Sequence, residues 1–480
     1  MIDHVALLPA YVASGVAILT LLVDLAAPGR RGPVLVTAAL GAMATGVTAL
    51  VVGPRTGGTF CTGENACSYV LDRRAVLVAV LFAVLTLGVL ALSVPQLRSG
   101  SVPPGEYCFL LTASMTGGVV LGAARDLITL IVSLETLTLP LYVLVGLRRR
   151  SLASAQAAVT FFVVSVVSTA VALLGAALLY AATGSVHFGQ LRDAVAPAQL
   201  SALVSAGVGL LLVGLSFKVA AVPLHAWAPP TYDGAPLPVA AYLSTASKVG
   251  GVVALLAVTA DALRPWLGLA GAVLAVLSVL TMTVGNLVAL RQRRMVRLLA
   301  WSSVAQAGYI LAPLGALALA AGRREMAVLV AAAVAYTVFY VLLELGAFGA
   351  VVALRAADDG GEIAEYRGVA RRAPWLAAAL GLALVGLAGL PPGLAGLFAK
   401  VAVIRALLAG SAGWLAVAVA LNAVVGLAYY VRVAATLFAP DPVTRPAPRV
   451  PWAVAGAVVL VTVAALVVGL APQVVLSAVR

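Results

Sequence analysis

Lysine is nearly absent from this 480-residue chain, occurring only at Lys218, Lys248 and Lys400 although lysine and arginine together number 30. Histidine is as scarce, at His4, His187 and His225. Charged residues make up 10% of the chain, where a soluble globular protein carries about a quarter. With 63% hydrophobic residues and a mean hydropathy of +1.12, that scarcity excludes a soluble domain. The three cysteines, Cys61, Cys67 and Cys108, form no CxxC or Cys/His cluster with metal or iron–sulfur spacing. No GxGxxG opens a helix after a strand, which argues against a dinucleotide site. No Ser/His/Asp or metal-ligand set converges in the apolar segments, so catalysis of that kind is not expected in the chain.

What is present is a succession of apolar runs, each long enough to cross a bilayer. About fourteen spans are expected, near 5–26, 33–52, 75–95, 106–123, 127–147, 153–181, 199–223, 237–259, 265–290, 298–320, 325–353, 375–409, 412–436 and 451–473. The fold class is therefore an all-α polytopic membrane helix bundle. The N-terminus turns apolar within a few residues and lacks a basic leader, so it reads as a first span and not a cleaved signal.

The net charge of +13 is a positive-inside bias, not a nucleic-acid footprint. With the N-terminus outside, the inner loops gather clusters: Arg148, Arg149 and Arg150; Arg291, Arg293, Arg294 and Arg297; Arg367, Arg371 and Arg372. Arg30, Arg31, Arg98, Arg355, Arg445 and Arg449 fall on the same side. The outer side receives a sparser set, Arg55, Arg73, Arg74, Arg125, Arg192, Arg264, Arg323, Arg324 and Arg480. Both termini are then outside, and the chain is a multi-pass protein of the cell inner (plasma) membrane. Cys61 and Cys67 share an outer loop on the oxidising side, where a small disulfide and two free thiols are both compatible with the spacing.

Each lysine lies inside an apolar segment, whereas nearly all arginines lie between segments. Arginine stays protonated at any accessible pH, while an amine can exchange its proton when desolvated. Lysine thus stands where a charge could switch. Glu135 sits mid-span about nine residues past a helix start, with Pro140 following. A carboxylate at that depth is costly and points to a proton or ion relay, with a helix–helix hydrogen bond as the plainer alternative. Pro223 cannot donate to the Val219 carbonyl, so the helix loosens beside Lys218. Gly389, Pro391, Pro392 and Gly393 interrupt the span that carries Lys400 and free the carbonyls of Leu387 and Ala388. Two interrupted helices, each with a lysine, point to an inverted-repeat transporter; kinks used only for packing are the alternative. Glu344 is the other mid-span acid, and His225 falls at the inner end of the first broken helix, as a proton uptake group or a loop anchor.

At these residues a family becomes recognisable. The runs DLITLIVSLETLTLPLYVLVG, GLSFKVAAVPLHAWAPPTYDGAPLPVAAYLSTASK, NLVALRQRRMVRLLAWSSVAQAGY, EYRGVARRAPWLAAAL and LAGLPPGLAGLFAK resemble the antiporter-like membrane subunits of respiratory complex I. The likeness covers about 105 to 437. YDGAPLPV and YRGVARR favour the subunit N branch of bacterial NADH-quinone oxidoreductases over subunits L and M and over the Mrp sodium/proton antiporters.

The resemblance implies two inverted five-helix repeats, 106–259 and 265–436. The chain would divide into an N-terminal three-helix segment (1–104), a first repeat (105–262), a second repeat (263–437) and a C-terminal helix (438–480). It also implies a polar axis through Glu135, Lys218, Lys248 and Lys400, with Glu135 paired to Lys218; Glu344 and His225 stand beside that axis as relay or uptake candidates read from their own positions. The implied activity is proton translocation driven by quinone reduction elsewhere in an assembly that uses NADH or a related donor. This chain itself would perform no redox chemistry and bind no cofactor or metal. Its partners would be other membrane subunits of complex I and the lipid bilayer, with no nucleic acid. Three positions depart from the family pattern: Thr160 replaces a common lysine, Gln306 a histidine and Glu344 an asparagine. The alternatives are a stand-alone or Mrp-type cation/proton antiporter, and a structural subunit with a degenerate path.

Overall fold

The computed structural model describes residues 2–53, 57–63, 66–148, 151–194, 201–355, 359–441 and 446–478. Arg55, Arg149, Arg150, Arg445 and Arg480, used above for orientation, lie outside the described residues.

Along the chain, α1 (Leu8–Ala26) and α2 (Arg31–Val52) precede a hairpin of β1 (Gly57–Cys61) and β2 (Cys67–Leu71). Then come α3 (Arg73–Ser99), α4 (Pro104–Ala123), α5 (Leu127–Gly146), α6 (Leu152–Thr183), the short α7 (Phe188–Asp193) and α8 (Ala202–Ser216). Short α9 (Ala228–Gly234) and α10 (Leu237–Tyr242) lead through a π segment, Leu243–Ser247, into α11 (Lys248–Ala257). They are followed by α12 (Leu267–Ala289), α13 (Met295–Gly315), α14 (Ala320–Arg324), α15 (Met326–Arg355) and α16 (Val369–Arg372). The series ends with α17 (Pro374–Ala388), α18 (Leu394–Ala409), α19 (Gly413–Phe438), α20 (Trp452–Leu470) and α21 (Gln473–Ala478).

Among the described residues, 12 helices are long and apolar enough to cross a membrane. The two other expected spans take a different form. The one near 298–320 is α13, a 21-residue helix rich in small and polar residues; the one at 375–409 is split into α17 and α18. The span placed at 199–223 also ends early: α8 stops at Ser216, and Lys218 sits in a 3-10 turn, Phe217–Val219. The helix does not merely loosen beside the lysine. It ends before it, and Ala220 adopts a positive φ of 59°.

Helix starts follow local capping chemistry. The Asp126 carboxylate accepts from the Thr129 N–H at 2.7 Å, and the Ser151 and Ser201 hydroxyls cap α6 and α8. Asp72 caps α3 through the Ala75 N–H. Burial opposes its charge, yet the adjacent Arg125 guanidinium and that N–H hold its carboxyl below the usual carboxylate range. In the hairpin, Cys61 and Cys67 are paired across the strands and joined by a disulfide, the first of the two outcomes open from sequence; Cys108 is a buried free thiol.

The chain forms two compact units. The first comprises Met1–Lys218 and Ala246–Trp266. In it α4 packs on α5, α6 on α8, and α11 against α4, α5 and α8. Small residues allow the approach, as membrane helices need: a Cβ on Gly214 would lie 2.5 Å from the Ala172 backbone nitrogen. One face of α6, with Val159, Phe162, Val163, Val166 and Val167, is exposed and apolar, as a lipid-facing surface requires. The second unit comprises Val219–Thr245 and Leu267–Arg480. There α12 packs on α13, and α15 carries α17, α18 and α20. Arg294 fastens its loops, reaching Asp233 and Asp359, each at 2.9 Å.

Candidate functional site

In the first unit, Lys218 and Glu135 meet. Asp126 starts α5 so that Glu135 falls mid-helix, and the close α6–α8 contact brings hydroxyls from α6 to the same place. Lys218 Nζ donates to Glu135 Oε1 at 2.8 Å, to Thr138 Oγ1 at 3.1 Å and to Ser165 Oγ at 3.4 Å. Thr169 donates to the same carboxylate oxygen at 2.7 Å, and Tyr142 donates to Ser165 at 2.5 Å. Lys218 is buried; the Glu135 side chain keeps 22% exposure. A cavity of about 10 Å³ beside the pair, lined by Glu135, Thr169, Gly214 and Lys218, has room for roughly one water. The ammonium therefore has one charged acceptor and two neutral ones. Lys248, also buried, opens α11, the helix packed on α5 and α8.

In the second unit Lys400 is held by different chemistry. α17 ends at Ala388, and Gly389 takes a φ of +85° that a side chain would disfavour. The carbonyls of Leu387 and Ala388 would normally bond the N–H groups of residues 391 and 392, but both are proline. Lys400 Nζ takes their place, donating to Leu387 O and Ala388 O at 2.7 Å each. These carbonyls form the negative end of the α17 dipole, which suits a cation. The Tyr309 ring lies 5.7 Å from the same nitrogen. Among the described residues no carboxylate forms an ion pair with Lys400.

Glu344 is fully buried on α15. Tyr340 donates to Ser244 O at 2.7 Å and shares a 2.8 Å bond with Ser303. His225 lies in the turn after the first break, partly exposed, with Nδ1 3.2 Å from Pro223 O and its ring 5.3 Å from that of Trp301. Among the described residues no group of three or more His, Cys, Asp or Glu could hold a metal ion.

Residues 124–426 match the family described as NADH:quinone oxidoreductase/Mrp antiporter, TM. The chain is 68% identical over 455 residues to an NADH-quinone oxidoreductase subunit N of Salinispora tropica, an alignment covering 93% of this chain and 86% of that one. The chain belongs to the subunit N family. A second subunit N, from Streptomyces griseus, is 42% identical over 99% of this chain and 93% of its own length. Respiratory complex I from Thermus thermophilus contains a chain of the same fold, with a TM-score of 0.80 and 30% identity over 98% of this chain and 99% of that one. A chain of the Mrp complex from Dietzia shares the fold at a TM-score of 0.84, with 21% identity over 98% of this chain and 96% of that one.

Within this subunit N chain the departures from the family pattern are placed as follows. Thr160 is half-buried on α6. Gln306 is buried beside the broken end of α17 and hydrogen-bonds Leu387 O and Tyr430. Sequence reasoning missed the hydroxyls of Thr138, Ser165 and Thr169 and the tyrosines Tyr142, Tyr309, Tyr336 and Tyr430. Their one signal is the placement of Thr138 and Tyr142 three and seven residues after Glu135, on its helical face.

Proposed function

We propose that the chain is the proton-translocating membrane subunit of an NADH (or related donor):quinone oxidoreductase. Protons move along Glu135, Lys218, Lys248, Lys400 and intervening water, driven by quinone reduction in other subunits. NADH, quinone and redox cofactors are handled by those subunits, and other membrane subunits are its partners. The observation that carries this proposal is the pairing of buried Lys218 with partly buried Glu135, held beside three hydroxyls at a helix break. The subunit N relatives support the oxidoreductase over a stand-alone or Mrp-type antiporter. Glu344 and His225 serve as an additional relay and an uptake group in the same scheme. The two repeats, 106–259 and 265–436, would each contribute one broken helix and its lysine.

A pair of this kind works by electrostatic gating. Neutralising or displacing Glu135 changes the proton affinity of the amine, each pKa unit being worth about 1.4 kcal/mol. Carrying one charge across 100 mV takes about 2.3 kcal/mol, so a change of roughly two units is sufficient. Lys218→Ala in the assembled complex is expected to abolish proton pumping, read as acidification of proteoliposomes during quinone reduction. Full pumping at unchanged quinone turnover would refute the assignment.

We further propose that both termini face outside, from the arginine distribution. Alkaline phosphatase fused to the C-terminus should then be active in intact cells; a silent fusion, with a fluorescent cytoplasmic reporter at the same point, would reverse the orientation.

A further inference from the structure

Gln306 lies on α13 at 2% exposure, and its neighbours fix the orientation of its amide. A carbonyl can only accept, so the amide nitrogen must be the atom that faces Leu387 O, at 3.3 Å. The same nitrogen gives its other hydrogen to the Tyr430 hydroxyl at 3.0 Å, and the amide oxygen accepts from Tyr336 at 2.5 Å. Tyr430, having accepted from Gln306, can donate to Ser302 Oγ at 2.5 Å. Leu387 O is also one of the two acceptors of Lys400, so one carbonyl at the end of α17 is shared by the amine and the amide.

We propose that Gln306 is a positioning residue for Lys400. It keeps the Leu387 carbonyl satisfied and in place whether Lys400 donates to it or has moved away after releasing its proton. Without it, that carbonyl would be a buried acceptor with no donor each time the amine left, because residue 391 is a proline. The amide cannot itself carry the proton under physiological conditions, so it acts only through Lys400, and Tyr336 and Tyr430 hold it from behind. The inference rests on Lys400 being a relay group, as proposed above.

The test uses the intact oxidoreductase carrying Gln306→Leu, Gln306→Glu or Lys400→Ala, with assembly yield and proton pumping in proteoliposomes measured across pH. Leucine keeps the volume and removes the hydrogen bonds, so pumping should fall about 10-fold, as for the loss of an orienting partner behind a reacting group. Gln306→Glu should pump at acid pH, where its protonated carboxyl can donate to Leu387, and lose pumping as pH rises. Pumping and pH profiles like the wild type in both variants would overturn the inference. So would a loss in Gln306→Leu with no pH dependence in Gln306→Glu, which marks a packing role, or failure of both variants to assemble, which marks a folding role. If Lys400→Ala itself pumps normally, the relay proposal fails first. If it is inactive while both Gln306 variants behave as wild type, only the role of Gln306 is lost.

Discussion

Glu135→Gln is expected to reduce proton pumping by about 100-fold while the complex still assembles. Glutamine fits the space and still accepts from Thr169, but it removes the only charge that faces Lys218 among the described residues. Breaking a buried ion pair from one side costs roughly 3–5 kcal/mol, because the remaining charge is left uncompensated. At about 1.4 kcal/mol per decade, even the lower figure is close to 100-fold in the population of one protonation state. A relay that must visit both states slows by that factor. The Thr138 and Ser165 hydroxyls soften the loss without replacing the charge, since neutral hydrogen bonds contribute about 1 kcal/mol each. The measurement is the ratio of protons moved to quinone reduced; an unchanged ratio at an unchanged rate would remove Glu135 from the path.

Gly396→Ala is expected to be the most damaging single methyl in the second unit. A Cβ there would lie 1.8 Å from Gly386 O and 2.8 Å from Gly386 C, both backbone atoms that cannot rotate aside. α18 would have to move off α17, and Lys400 would lose its two carbonyls, which begin one residue beyond Gly386. Overpacking of this kind costs about 1–3 kcal/mol or more. Reduced complex yield and thermal stability should therefore accompany loss of pumping. Gly456→Ala on α20, where nothing lies within 4 Å of the added carbon, is the control and should be silent. Equal behaviour of the two variants would show that the α17–α18 approach is not as close as described.

The lysines were legible because a charge in an apolar run stands out, and the breaks because proline and glycine cannot continue a helix. The clearest case is the second break: the carbonyls of Leu387 and Ala388, expected to be freed by the two prolines, are the ones that receive Lys400. At the first break the same logic placed the disruption too late. Pro223 drew attention to the Val219 carbonyl, but α8 had already ended at Ser216, and the chain then turns through Ala220 at positive φ. The hydroxyl groups around Lys218 were not legible. In apolar helices Ser and Thr usually bond the carbonyl four residues back, as Thr138 does to Leu134 and Ser168 to Val164, so their presence carries no positional information. The tyrosines bonded to Gln306 come from α15 and α19, and only tertiary packing unites them with it. Likewise Gln306 reads in sequence as the loss of a titratable group, whereas in the fold it supports the end of α17.

The proposed proton translocation requires an amine at membrane depth that both takes and gives up a proton. Lys218→Arg probes that property most directly, since arginine keeps a positive charge beside Glu135 but does not deprotonate in a protein. The expected result is an assembled complex whose proton pumping is lost as completely as in Lys218→Ala. Pumping at the wild-type rate and stoichiometry with arginine at position 218 would show that a fixed charge suffices, and would contradict the account.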